Sequence, residues 1–327
     1  MKRARLATMI SAAVLMVASE IVVAQNDSSY RVLNPRSNGM QKELDGLTAA
    51  SERILLADTG MGLLITQRAE APRTYLYVDD LERFITSKKI PAGFVLMPHT
   101  FSGNGEGRLR GLMEKIEADE RVRDYRFLKG KNSSALAKQI ESAFKDGYGL
   151  VGVVAGGGDA AVVLERTSTP PRRWTVVGAA QTETMQKELT AIKGFRITNG
   201  SGDGEAVYGL VEEQGPTDYL VFSTTKSETL EKELNAAVEK GYRVVTGSLL
   251  GMQKRLLGKP VADGETFVVM ERRPDGQPVR YRVLGIRRGS TLGRELAEAA
   301  AQGFAPTGLT VGFKETIVIL ENAQGAK

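Results

Sequence analysis

Tyr219-Leu220-Val221-Phe222 is a short apolar run that reads as a strand. Beyond it, Leu230, Leu234, Ala237 and Val238 recur at helical spacing. They predict an amphipathic helix that Ser227 or Thr229 can cap by accepting a hydrogen bond from a first-turn amide. Gly241 then stops the helix, because glycine takes the left-handed backbone that a helix end commonly needs. Two more strands follow, Tyr242-Arg243-Val244-Val245 and Thr266-Phe267-Val268-Val269-Met270, the second closed by Glu271-Arg272.

This order recurs along the chain. Tyr281-Arg282-Val283-Leu284 leads to Leu292, Glu295-Leu296, Gly303-Phe304 and Ile317-Val318-Ile319-Leu320-Glu321. Tyr125-Arg126-Phe127-Leu128 leads to Leu136, Ile140, Gly147-Tyr148 and Val162-Val163-Leu164-Glu165-Arg166. Trp174-Thr175-Val176-Val177 leads to Glu188-Leu189, Gly194-Phe195 and Gly209-Leu210-Val211-Glu212. Tyr30-Arg31-Val32-Leu33 leads to Glu43-Leu44 and Leu63-Leu64-Ile65-Thr66, with Ser51 where the others have glycine. A weaker copy runs from Tyr75 through Leu81 and Gly93-Phe94 to about Met113.

The offset from Leu234, Leu296 or Ile140 to the closing glycine is the same in all three units, whereas Leu189 to Gly194 is shorter, predicting an abbreviated helix there. Units return every ~45–60 residues, at or just beyond the usual repeat periods. The fold class expected is therefore α+β, with about six tandem β-α-β-β repeats packed as sheet-plus-helix modules.

Each unit resembles the bacterial domain of unknown function 4177, in which an aromatic-started strand, a Leu-rich helix, a Gly-aromatic-led strand and a final apolar strand follow in that order. The resemblance covers nearly all of residues 30–322. The family's Gly-Trp-Glu pattern stands here as Gly241-Tyr242-Arg243 or Gly303-Phe304-Ala305. The resemblance implies no catalytic residues.

A three-stranded sheet covered by one helix leaves its other face wet, so no unit can stand alone. Neighbours must pack, either in pairs or as a string in which each unit touches the next. Pro170-Pro171-Arg172-Arg173 reads as a stiff exposed connector. It divides the chain into residues 25–169 and 174–322, three units each, with a short tail at 323–327.

Residues 1–24 read as a secretory signal: Lys2, Arg3 and Arg5, an apolar stretch from Leu6 to Ala18, and small exit positions Val22 and Ala24 before Gln25. An uncleaved anchor is the competing reading, but the run falls short of the ~20 residues a spanning helix needs. No later segment is long and apolar enough to span. Cysteine is absent, which excludes disulfides, thiolate metal sites and cysteine nucleophiles. Together these features predict a periplasmic or secreted protein of the bacterial envelope.

The formal charge is +5, and removing Lys2, Arg3, Arg5 and Glu20 leaves +3. So small a surplus, interleaved with acids, gives no reason to expect a nucleic-acid partner. The clusters Gly103-Asn104-Gly105-Glu106-Gly107, Gly156-Gly157-Gly158-Asp159 and Asn199 to Gly204 resemble phosphate loops only superficially. They fall between second and third strands and read as hairpin turns. Asn199, Asp203 and Glu205 lack the spacing of a calcium loop.

His99 is the only histidine, which excludes a two-histidine metal site, and it reads as a surface or loop residue after Pro98. The carboxylate pairs Glu212-Glu213, Asp79-Asp80 and Glu231 with Glu233 read as solvated charge. Glu165-Arg166 and Glu271-Arg272 read as polar strand ends rather than one ion pair per unit. No catalytic, cofactor or metal residue is expected.

The connection from Gly247 to Gly264 is about three times the length of a hairpin loop. Two readings stay open for it. It docks a partner or membrane surface, which makes Leu249, Leu250, Met252, Lys254, Arg255, Leu256 and Leu257 candidate partner-binding residues, or it extends the hairpin and buries its leucines. The function expected is an exported, non-catalytic repeat scaffold that binds a protein or envelope polymer across its outer sheet faces. The alternative is a small-ligand receptor or hydrolase with its site in a groove between the halves, favoured if acids, hydroxyls and Arg172 or Arg173 line one cleft.

Overall fold

The computed structural model describes residues 30–322 except 35–38, 104–106, 157, 170, 204, 214–217, 257–258, 274–278, 288 and 313–314. The segment read as a signal, 1–24, and the tail at 323–327 lie outside the described residues.

Six small antiparallel sheets follow one another along the chain. The first holds β1 (Arg31–Leu33), β2 (Glu52–Asp58) and β3 (Leu63–Arg68), with α1 (Met40–Ala50) after β1. The second holds β4 (Tyr75–Val78), β5 (Phe94–Gly103) and β6 (Leu109–Lys115), with α2 (Leu81–Thr86). The third holds β7 (Tyr125–Gly130), β8 (Tyr148–Gly156) and β9 (Asp159–Arg166), with α3 (Ser133–Lys145). The fourth holds β10 (Trp174–Ala179), β11 (Phe195–Gly202) and β12 (Ala206–Glu212), with α4 (Thr182–Ala191). The fifth has four strands, β13 (Tyr219–Thr224), β14 (Tyr242–Val244), β15 (Leu250–Leu256) and β16 (Lys259–Arg272), with α5 (Ser227–Val238). The sixth holds β17 (Arg280–Ile286), β18 (Ala305–Val311) and β19 (Thr316–Asn322), with α6 (Gly289–Ala300).

In every module the last strand lies in the middle, as in the order β7-β9-β8. It is the most continuously apolar of the three, and Val162, Val163 and Leu164 are all fully buried. Successive side chains point to opposite faces, so a run buried without interruption requires cover on both.

That cover comes from the neighbours. Leu136, Ile140 and Leu164 of the third module share a core with Trp174, Val176 and Val207 of the fourth. The same holds for each successive pair, and α1 to α5 each lie against the first strand of the following module. The series then closes, because α6 packs on β1 and β18 on β2. Ile65 and Leu63 share a core with Leu296, Leu284 and Val318. Six modules thus form a ring with no terminal face left wet, a string whose ends meet. Pro171, Arg172 and Arg173 run between β9 and β10, and because modules three and four share a core, this connector joins neighbours as the others do.

The residue just before the second strand has a left-handed backbone in every module: Ser51, Gly93, Gly147, Gly194, Gly241 and, one residue further back, Gly303. Helix starts differ from expectation. Neither Ser227 nor Thr229 caps α5, whose N-cap is Lys226 without a side-chain bond; Ser227 is already helical. Side-chain caps occur instead at Asp80, which accepts from Arg83 N, and Asn132, which accepts from Ala135 N, both at 2.9 Å. Helix α4, at 10 residues, is shorter than α3, α5 and α6, matching the shorter spacing to Gly194. No helix among the described residues is long and apolar enough to cross a membrane.

Candidate functional site

The second strands β2, β5, β8, β11 and β18, joined in the fifth module by its third strand β15, stand innermost, each against the next around the ring axis. Backbones approach so closely there that side chains are excluded. A Cβ on Gly60 would lie 2.4 Å from the Gly103 carbonyl, and one on Gly103 would lie 2.4 Å from that of Ala155. This modifies the turn reading of the glycine clusters. Gly103, Gly156, Gly200 and Gly202 are strand residues at inter-module contacts, while Gly107 and Gly158 take left-handed conformations in the connections.

Strand β5 departs from its five counterparts. Its pairing with β6 jumps from Met97 to Ser102, so Pro98, His99, Thr100 and Phe101 bulge from the ladder. The gap is bridged by the Thr100 hydroxyl, which accepts from Leu112 N at 2.9 Å and donates to Met97 O at 2.7 Å. Pro98 and Phe101 then lie over Gly152 of β8, where a Cβ would meet Pro98 at 2.7 Å. A bulge re-aims side chains, and this one carries His99 toward the axis.

Behind the bulge lies a cavity of about 370 Å³, within the size range of small-molecule sites. It is walled by Leu55–Asp58 and Met61, by the bulge, by Thr198 and 200–202 of β11, by the 246–251 segment and by 307–311 of β18. Among the described residues the third module contributes nothing to the wall, because the bulge screens it off.

Two wall residues titrate. Asp58 sits where modules one, two and six meet. Burial pushes its carboxyl above the usual range, and N–H groups of Met61 and Val311 and the Ser102 hydroxyl partly oppose that. Met61 N lies 3.0 Å from its Oδ1. Ser102 also accepts from Gly60 N and meets Thr59 Oγ1 at 3.0 Å, and Thr59 donates to Thr100 O at 2.8 Å. His99 opens on the cavity, and desolvation lowers its pKa, with Glu114 opposing.

The residues weighed as calcium ligands are engaged elsewhere. Alternate side chains of β11 bond the outward edge of β8: Asn199 accepts from Val153 N at 2.9 Å and donates to Val153 O at 3.0 Å, and Ser201 accepts from Ala155 N at 2.9 Å. Just beyond the strand, Asp203 accepts from Gly158 N at 3.0 Å, and Glu205 accepts from the Ser133 hydroxyl at 3.0 Å. Among the described residues no three His, Cys, Asp or Glu side chains gather as a metal site.

Of the candidate partner-binding residues, Leu249, Leu250 and Met252 are buried, the first two against the cavity and Met252 in the core shared by modules four and five. Lys254, Arg255 and Leu256 lie on β15, which pairs with β16 so that the long connection extends the hairpin, and Leu257 lies outside the described residues. The strand-closing glutamates form ion pairs, contrary to the polar-end reading. Glu165 pairs with Arg123, and Glu271 pairs with Arg196 at 2.9 Å and with Arg273. The carboxylate pairs also separate: Asp80 caps α2, Asp79 takes Arg108 at 3.0 Å, and Glu231 accepts from Val283 N at 2.8 Å.

His99, read as a surface or loop residue, is exposed and lies on the bulge within β5. The signal available was Pro98, which breaks an otherwise apolar strand run and cannot donate to a ladder. Asp58 carried no such signal. Arg172 and Arg173 do not line the cavity. The chain matches no protein-family model and no curated protein.

Proposed function

We propose that the chain is an exported, non-catalytic binding protein, a ring of six β-α-β-β repeats that takes a small molecule at its axis. The observation that carries this reading is the convergence of five modules on one cavity. The sheet faces on which a scaffold would bind are occupied by neighbouring modules, which favours the axis over the outside. Ser102 supports binding rather than nucleophilic chemistry, since its hydroxyl is engaged by Thr59, Gly60 and Asp58. Export to the periplasm or beyond rests on residues 1–24, and kinship with the domain of unknown function 4177 rests on the shared order of elements within each unit.

The test is native mass spectrometry of the mature protein recovered from its own envelope fraction. A small molecule retained by the wild type and lost from a Met61→Trp variant, which narrows the cavity rim, is the expected result. Capture of a protein or polymer, with the cavity empty and no effect of the variant, refutes the reading.

A further inference from the structure

We propose that the axial cavity is selective for an uncharged, hydroxyl-rich molecule of one to two sugar rings, an inference that rests on the binding function above. Its wall combines three properties.

The first is charge. Among the described residues no lysine, arginine or glutamate lines the cavity. The Asp58 carboxylate is already surrounded by donors from its own turn, from Val311 and from Ser102, so it has little capacity left for a cationic group. His99, in the same wall, favours its neutral form. A phosphate, carboxylate or ammonium entering this space would lose its hydration without gaining a counter-charge, the costliest form of burial.

The second property is the alternation of donors and acceptors. Each second strand is a sheet edge, and beside its backbone the walls carry the hydroxyls of Thr246 and Thr310. Gly247, where a Cβ would meet nothing nearer than 3.6 Å, leaves room beside the backbone of this wall. A wall that both donates and accepts suits hydroxyls, which do the same.

The third is the apolar share: Met61, Phe101, Leu309 and Val311 supply surface for the C–H faces of a sugar ring. The volume of about 370 Å³ sets the size at the lower end of small-ligand sites.

His99, the sole histidine, gives one pair of imidazole resonances, so NMR reads this wall without ambiguity. The folded, mature protein is titrated with glucose, N-acetylglucosamine, maltose and trehalose, and with glucose 6-phosphate and trehalose 6-phosphate. At least one neutral sugar is expected to shift the His99 signals saturably, and a phosphorylated counterpart to bind at least about tenfold more weakly. The Met61→Trp variant, checked for folding by the dispersion of its other resonances, is expected to lose the shift. If a phosphorylated sugar binds at His99 as tightly as its neutral parent, the ligand class is overturned while the binding site stands. If no probe moves His99 and native mass spectrometry finds the cavity empty, both are overturned.

Discussion

The phenol oxygen of Tyr219 accepts a hydrogen bond from the backbone N–H of Ile197 at 3.3 Å and donates one to the Phe195 carbonyl at 3.0 Å. Tyr219 opens the fifth module, while Ile197 lies on the second strand of the fourth. An edge strand leaves alternate backbone groups pointing away from its sheet, and here the neighbour's tyrosine satisfies them. The same bond joins Tyr75 to Ile54 N, Tyr125 to Leu96 N and Tyr281 to Val244 N. In the fourth module Trp174 takes the place of tyrosine, and because indole only donates, it bonds the Tyr148 carbonyl at 3.1 Å instead. At the ring closure the corresponding position on β18 is Pro306, which has no N–H to offer Tyr30.

Removing these hydroxyls leaves a backbone amide buried without its partner. Tyr219→Phe is expected to cost about 1–2 kcal/mol in urea unfolding. Tyr281→Phe is expected to cost at least as much, since that phenol also donates to Glu321 at 2.8 Å. Tyr30→Phe is expected to be nearly neutral, and an equal loss in all three would show that the hydroxyl bonds do not account for the effect.

Ser51 holds φ 53° where five modules have glycine. A side chain in that conformation costs of order 1 kcal/mol, so Ser51→Gly is expected to stabilise the protein by about 0.5–1 kcal/mol. Gly147 has φ 83° and open space where a Cβ would stand, so Gly147→Ala isolates backbone strain from packing. It is expected to destabilise by about 1 kcal/mol. Denaturation midpoints of the two variants moving in the same direction would refute the common explanation.

Ring closure makes each module dependent on two others. Leu296 is fully buried in the core between the sixth and first modules, and Leu189 is buried equally between the fourth and fifth. Truncation of either to alanine is expected to cost about 2–5 kcal/mol. Deleting residues 279–322 uncovers the cores on both sides of the sixth module and is expected to give an aggregating or dye-binding chain. A well-folded, five-module remnant, judged by near-ultraviolet circular dichroism, would contradict closure as the source of stability.

The two cavity residues predict opposite pH effects. The surrounding walls partly desolvate His99, whose ring stays exposed, and lower its pKa from the ordinary 6.5, so the unfolded chain takes up its proton first, and this contribution to stability is lost as pH falls below 6.5 toward the folded value. In urea unfolding, His99→Gln is expected to flatten stability against pH in that window. Burial raises Asp58 above 3.8, so the folded state holds its proton more tightly, and stability from this group declines as pH rises from 3.8 through the folded value. Wild type is therefore expected to lose stability relative to Asp58→Asn over that rise. The reverse slope would mean that its hydrogen-bond donors outweigh its desolvation.

Within a module, the chain encodes most of its local structure. The apolar run Tyr219–Phe222, the helical spacing of Leu230 and Leu234 and the stop at Gly241 all depend on neighbours a few residues apart, which makes them legible. For the long connection after Gly247 the sequence left docking and hairpin extension both open, since burial of Leu249, Leu250 and Met252 depends on surfaces brought in by other modules. Closure lay further out of reach. It depends on the angle at which each module meets the next, accumulated over six interfaces, and only then does Leu296 meet Ile65. The placement of His99 and Asp58 at the axis follows from that angle and from a bulge whose residues are bonded to distant strands, so the sequence determined the modules and tertiary packing decided the ring and its cavity.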